Sequence, residues 1–154
     1  FTMAITLDPE SGQKPSIVIS HINAHDFSEL QQVASVQILS FDPFPEYTDV
    51  IEPLPRLPFE QRIDSLARRL AYKLTDRDGK AASHIGYKAT NDQGEIVGIA
   101  YWMKPAMRFK LYDPETMTEK EKGMYAQYDM KLYSSLYQAF QEKIDTVTES
   151  RPTW

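Results

Sequence analysis

The stretch SHIGYKATNDQGEIVGIAYWMK, residues 83–104, decides the fold. Asn91-Asp92-Gln93-Gly94 in its middle is a turn, because Asn and Gly tolerate the positive φ that tight hairpin connections require. The flanks therefore read as two antiparallel strands. Before the turn, Ile85, Tyr87 and Ala89 alternate with His84, Gly86 and Lys88, so one side of that strand is expected to be half-exposed. After it, Ile96, Val97, Ile99, Ala100, Tyr101, Trp102 and Met103 leave no polar face. A strand apolar on both sides is expected to be central, with helices packed on both faces of its sheet.

Working outward towards the N-terminus, Phe59, Ile63, Leu66, Ala67, Leu70 and Leu74 recur at helical spacing after Pro58, which suits a first turn. Arg62, Asp64, Arg68, Arg69 and Lys73 take the other positions of that helix, and Asp76-Arg77-Asp78-Gly79 ends it. Residues 42–58 hold five of the ten prolines and read as a stiff loop, since proline lacks the amide hydrogen and extends its predecessor. Before it, Asp26 and Glu29 stand at capping-box spacing ahead of a helix whose buried face is Leu30, Ala34, Ile38 and Phe41. Ile17, Val18 and Ile19, within 15–22, form a first strand.

Towards the C-terminus a polar connector follows Pro105, in which Asp113-Pro114 or Thr118 with Glu121 can each start a helical turn. Gly123 is expected to break or bend the path. Tyr125, Tyr128, Leu132, Leu136, Phe140, Ile144 and Val147 then repeat at three and four residues, widened by Tyr133 and Tyr137, as one long helix running almost to Trp154. No repeat is visible.

Composition narrows the function classes. A chain of 154 residues with 42% hydrophobic and 25% charged residues has the material for one globular domain, which at this size buries roughly 70% of its unfolded surface. Residues 15–154 are read as that domain and 1–14 as an arm, in which Phe1-Thr2 ahead of Met3 looks like a tag remnant. The net charge of -5 and the scattered basic residues argue against nucleic acid. No apolar run approaches the roughly 20 residues of a membrane span, and no secretory leader is visible. With no cysteine, disulfides, thiol catalysis and thiolate metal sites are excluded together, which fits a cytoplasmic setting.

Motifs of chemistry are few. His21, His25 and His84 share no metal-ligand spacing and read as satisfied or surface histidines. No GxSxG elbow and no phosphate-binding glycine loop occurs. Asp113, Glu115, Glu119 and Glu121 read as helix N-terminal charge before they read as a trap for a cationic substrate. The tyrosines from Tyr125 to Tyr137 read as core packing, with one or two free to face a cleft. Gly98 either permits close backbone approach or makes room for a crossing helix.

Three segments in this order carry a resemblance. INAHDFSELQQVASVQILSFDPF, residues 22–44, resembles the opening strand and first helix of the GNAT superfamily of acetyl-CoA-dependent N-acetyltransferases. NDQGEIVGIAYWMKP, residues 91–105, is similar to that family's hairpin strand. LYSSLYQAFQEKIDTVTESRPTW, residues 132–154, resembles an insertion that some fungal-type members place before their central strand. The resemblance implies an α+β fold of order β-α-α-β-β-α, with a mixed, mostly antiparallel sheet and helices on both faces. The family's fourth strand and its [QR]xxGx[GA] turn, which hold the acetyl-CoA pyrophosphate on helix N-terminal amides, have no counterpart in these residues. No catalytic or cofactor-binding residue is therefore carried over. The acceptor side is: Phe41, Phe44, Pro45 and Tyr47 in the loop between the first two helices, with Tyr101 and Trp102 on the apolar strand.

The activity so implied is attack of a neutral primary amine on the acetyl thioester. It requires the amine to be held and desolvated, its proton accepted and the carbonyl polarised. This segment is expected to supply the first task, for a small-molecule amine or a peptide, and to be inactive alone. Its implied partner is the cofactor-binding half, as a second chain or fragment, or a second copy of itself. Two other readings stay open: a non-catalytic module derived from the same fold that pairs through an exposed sheet edge, and an unrelated α+β domain with a pocket among the tyrosines.

Overall fold

In a computed structural model, which describes residues 16–44, 52, 55–76, 81–103, 113 and 115–149, the hairpin forms as β2 (His84–Thr90) and β3 (Ile96–Met103). Gly94 takes φ 79° at the turn, and the Asn91 side-chain oxygen accepts from the amides of Gln93 and Glu95 at 3.1 and 2.8 Å. The short strand β1 (Val18–His21) joins antiparallel to β2, giving a three-stranded antiparallel sheet of order β1-β2-β3. In that register Gly86 faces Tyr101 and His84 faces Met103. A bulge between Ala89 and Thr90 shifts the pairing near the turn.

Helix α1 (Phe27–Phe41) starts where the capping spacing places it, with the Glu29 amide donating to the Asp26 carboxylate at 3.2 Å. The reciprocal arm differs from the expected box: the Glu29 carboxylate accepts from the Asn23 amide at 2.7 Å, and it also pairs with Lys88 of β2. Helix α2 (Phe59–Leu74) follows, opening on Pro58. Leu30, Val33, Ala34 and Ile38 of α1 and Ile63, Leu66, Ala67 and Leu70 of α2 form one core with Ile22. Ile96, Ile99 and Tyr101 of β3 pack against it. Gly86 lets the sheet come this close, since a Cβ there would stand 2.9 Å from Ile22 Cδ1 and 3.1 Å from Leu74 Cδ2.

Two expectations need correction. Among the described residues β3 is an edge strand and helices cover one face of the sheet only. The other face, with Ile19, Ile85, Tyr87 and Trp102, is open, and Trp102 is 57% exposed. An unbroken apolar run reports that both faces are apolar; it does not report that both are covered. The half-exposed side of β2 is likewise the Ile85–Tyr87 side, while the Gly86 side is packed.

The second correction concerns the long C-terminal helix, which begins at Met130 and not at Tyr125; the helical turn at Thr118 and the break near Gly123 form as expected. Thr118 and Glu121 close a full capping box on α3 (Glu119–Met124), and the chain turns over residues 125–129. A further start then forms at Asp129, whose carboxylate accepts from the Lys131 and Leu132 amides, both at 3.0 Å, ahead of α4 (Met130–Glu149). Met117, Met124, Tyr125 and Tyr133 make a second core, with Tyr128, Met130 and Tyr137 against it. The Ser65 hydroxyl ties it to α2 by donating to the Met124 carbonyl at 2.9 Å. The expected apolar stripe of α4 is turned outward instead, with Leu132, Phe140 and Ile144 exposed. Its Tyr133 turns inward onto Met117, Met124 and Tyr125. No helix among the described residues is long and apolar enough to cross a membrane.

Candidate functional site

A cavity of 260 Å³ lies between the end of α1, the length of α2, the packed face of the hairpin and the tyrosine cluster. On α2, Arg62, Arg69 and Lys73 are spaced seven and four residues apart, which puts them on one side of the helix together with Leu66 and Leu70. On the sheet, Tyr101 and Met103 share the face that His84 presents across the register. Tyr128, Tyr133 and Tyr137 close the far side, and Gln37, Phe41, Glu52 and Gln127 complete the wall.

One end is an ion-paired network. Arg62, 5% exposed, donates to both oxygens of Asp42 at 2.9 and 2.6 Å, and its Nη2 stands 2.9 Å from Glu52. The bonds from Arg62 hold the Asp42 carboxyl below its ordinary value. Glu52 is pushed the other way: burial raises it despite the attraction of Arg62 and Arg56.

The deeper end is built differently. Arg69 is also 5% exposed, yet among the described residues no carboxylate pairs with it. Its Nη2 donates to the Tyr128 hydroxyl at 2.6 Å and its guanidinium lies over the rings of Tyr128 and Tyr125, 4.5 and 5.3 Å from their centres. Nη1 has no partner. Burial, reinforced by the charge on Arg69, lowers the Lys73 ammonium to about 8. Burial, reinforced by Lys73, lowers His84 to about 4, so its ring is neutral at pH 7 with Nδ1 2.7 Å from the Ser83 hydroxyl. Burial raises the Tyr101 and Tyr133 hydroxyls well above the ordinary phenol value, with Arg69 opposing both.

Further buried polar atoms of wall residues lack hydrogen-bond partners, among them Arg62 Nε, the Tyr101 hydroxyl and the side-chain oxygens of Gln37 and Gln127. Each such atom costs about 1–3 kcal/mol in an empty protein. Donors and acceptors left open around one cavity are what a bound polar molecule would satisfy. Among the described residues no group of three His, Asp or Glu side chains is placed to hold a metal ion.

Of the residues singled out from sequence, Phe41 and Tyr101 line this cavity. Phe44 is 52% exposed and does not line it, Trp102 stands on the opposite face edge-on to Tyr87, and Pro45 and Tyr47 lie outside the described residues. The tyrosine series does both things weighed for it, since Tyr133 is buried and also faces the cavity. Sequence alone places Arg69 and Lys73 away from the apolar stripe of α2 and makes His84 a satisfied or surface histidine, whereas all three line the cavity. The signal that could have found Arg69 is that it falls on the same arc as Leu66 and Leu70, so a cation stands inside the apolar stripe.

The open face of the sheet is a second, shallow concavity of 1050 Å³, walled mainly by Ile19, Ile85, Tyr87, Ala100 and Trp102. Compared with known proteins, the chain matches no family model, no curated protein and no solved structure.

Proposed function

We propose that this chain is the acceptor side of an acetyl-CoA-dependent N-acetyltransferase, with the Arg69–Lys73–Tyr101 cavity as the place where the primary amine is held. The observation that carries the reading is the element order β1-α1-α2-β2-β3, an antiparallel sheet with both helices on one face and a polar cavity beside the apolar edge strand. The order of elements is the one the resemblance implies, whereas the second helical face it also implies is not met among the described residues.

Lys73 indicates what the cavity does to an amine. A primary ammonium placed there loses proton affinity, because burial removes water and Arg69 repels a second positive charge. Desolvation in the same cavity holds a substrate amine towards its neutral, nucleophilic form. His84 is unprotonated at pH 7, but the burial that keeps it neutral also makes it a weak base, so it is not assigned the proton-accepting role.

The described residues do not fit acetyl-CoA itself. Asp26, Thr118 and Asp129 already occupy the amides at the starts of α1, α3 and α4, and α2 opens on Pro58 with Glu60 in its first turn. None offers the open glycine-rich amides a pyrophosphate takes. The cofactor side is therefore assigned to other residues or another chain, for which the edge of β3 and the sheet face that are open among the described residues leave room.

The test is thiol release from acetyl-CoA by the product of the whole gene, across a panel of primary amines. Amine-dependent release supports the reading. Absence of release for every amine, together with no acetyl-CoA binding by calorimetry, overturns it in favour of a non-catalytic module that pairs through the β3 edge. Measurable acetyl-CoA binding by residues 1–154 alone contradicts the acceptor-only assignment.

A further inference from the structure

At the deep end of the cavity stands a charge that no carboxylate among the described residues neutralises. Arg69 is 95% buried by its 5% exposure, and its two aromatic neighbours and its single hydroxyl partner are all neutral groups. A buried guanidinium normally has a carboxylate, because removing it from water uncompensated is costly. Here Nη1 is left open, and the Tyr101 hydroxyl in the same wall is open too. Lys73 adds a second cation one helical turn further on, also with no carboxylate among the described residues within 4.0 Å. Acidic side chains of this chain cluster instead at the Arg62 end, roughly 10 Å away along α2 at about 1.5 Å per residue.

The open acceptors complement this. Gln37 and Gln127 each present an unpartnered side-chain oxygen to the cavity, and Gln127 donates to Glu52 at 3.4 Å. Among the described residues the Arg69 end thus lacks an anion, while towards Glu52 the Gln127 oxygen lacks a donor. A volume of 260 Å³ limits the occupant to a small molecule.

We infer that the cavity binds a small amino acid: its carboxylate seats on Arg69 Nη1 and the Tyr101 hydroxyl, and its amine turns towards the oxygens of Gln37 and Gln127. A planar carboxylate suits a guanidinium edge, and the desolvated site makes that contact stronger than it would be in water. This names the substrate class of the site proposed above. It rests on that reading for acetyl transfer and is independent of it for binding.

Calorimetry on the whole gene product, with 4-aminobutyrate, butyrate and butylamine as probes, separates the two. The expected result is binding of 4-aminobutyrate, at least tenfold weaker binding of butylamine, and a loss of at least tenfold for 4-aminobutyrate in Arg69→Met and in Tyr101→Phe. Equal affinity for butylamine, an unchanged affinity in folded Arg69→Met, or no binding of either carboxylate overturns the inference. Should Arg69→Met fail to fold, the comparison of 4-aminobutyrate with butylamine on the unmodified protein decides alone. Carboxylate-dependent binding without thiol release upholds the site and removes the acetyltransferase reading. Thiol release that is indifferent to the carboxylate does the reverse.

Discussion

Arg69 donates to the hydroxyl of Tyr128 at 2.6 Å while its guanidinium carbon stands 4.5 Å from the centre of the same ring. One neutral tyrosine thus supplies both an acceptor and a π face, and the cation keeps its full charge. Replacing Arg69 by Met removes these contacts and also a buried charge that no carboxylate offsets. The unfolding free energy in urea is expected to stay level or rise by about 1 kcal/mol, as when other buried ions give way to apolar residues. Tyr128→Phe, which removes the acceptor and keeps the charge, is expected to cost about 1–2 kcal/mol. A loss above about 3 kcal/mol in Arg69→Met would show that Arg69 serves the fold rather than a ligand.

Stability should rise with pH in two windows. His84 is lowered from 6.5 to about 4, so between those values the unfolded chain binds a proton that the folded chain refuses. Stability therefore climbs as pH rises from 4 to 6.5, by on the order of 1 kcal/mol after allowance for solvent screening of a half-buried ring. Lys73 is lowered from 10.5 to about 8, and the same sign gives a second climb from pH 8 to 10.5 of up to about 3 kcal/mol. Denaturation midpoints across pH for His84→Asn and Lys73→Met check this, since each variant should lose one climb and keep the other.

Asp42 contributes with the opposite dependence on its own ionisation. Held below its ordinary value by the bonds from Arg62, it stabilises fully above pH 3.8 and loses that contribution as pH falls through its folded value. Asp42→Asn should flatten this acid limb. At pH 7 it should cost about 1–3 kcal/mol, less than a fully buried pair would, because Asp42 is partly exposed and Glu52 still faces Arg62. An acid limb of unchanged steepness in the variant would contradict the assignment.

The glycines of the sheet should separate by mechanism. Gly86→Ala drives a Cβ to 2.9 Å from Ile22 Cδ1, an overpacking expected to cost about 1–3 kcal/mol. Gly94→Ala meets no atom within 4 Å but must adopt φ 79°, at about 1 kcal/mol. Gly98→Ala meets Ala89 Cβ at 3.5 Å, an ordinary contact, and should be neutral within about 0.5 kcal/mol. Thermal melts of the three variants give the order directly.

The local elements were legible because each has a local cause. Asp26 caps α1, Thr118 with Glu121 caps α3, Gly94 makes the turn, and the stripe from Ile63 to Leu70 buries α2. What failed depended on partners distant in sequence. Spacing alone could not tell that β3 lies at an edge, because an apolar face is the same residue pattern whether covered or open. It could not tell which side of α4 is buried either, since Tyr133 rather than Leu132 joins the cluster of Met117, Met124 and Tyr125, which is tied to Ser65 of α2 far back in the chain. The site follows the same rule. Tyr101 and Phe41 were readable as aromatic residues near an acceptor loop, whereas Arg69 and Lys73 look like ordinary solvated positions until the sheet and tyrosines close over them.

The most direct measurement is a crystal structure of the whole protein grown with 4-aminobutyrate. The ligand is expected inside the cavity, its carboxylate within hydrogen-bonding distance of Arg69 Nη1 and the Tyr101 hydroxyl, with its amine against the Gln37 and Gln127 oxygens. A cavity without ligand at saturating concentration would contradict it. So would a carboxylate bound on the open face of the sheet beside Trp102.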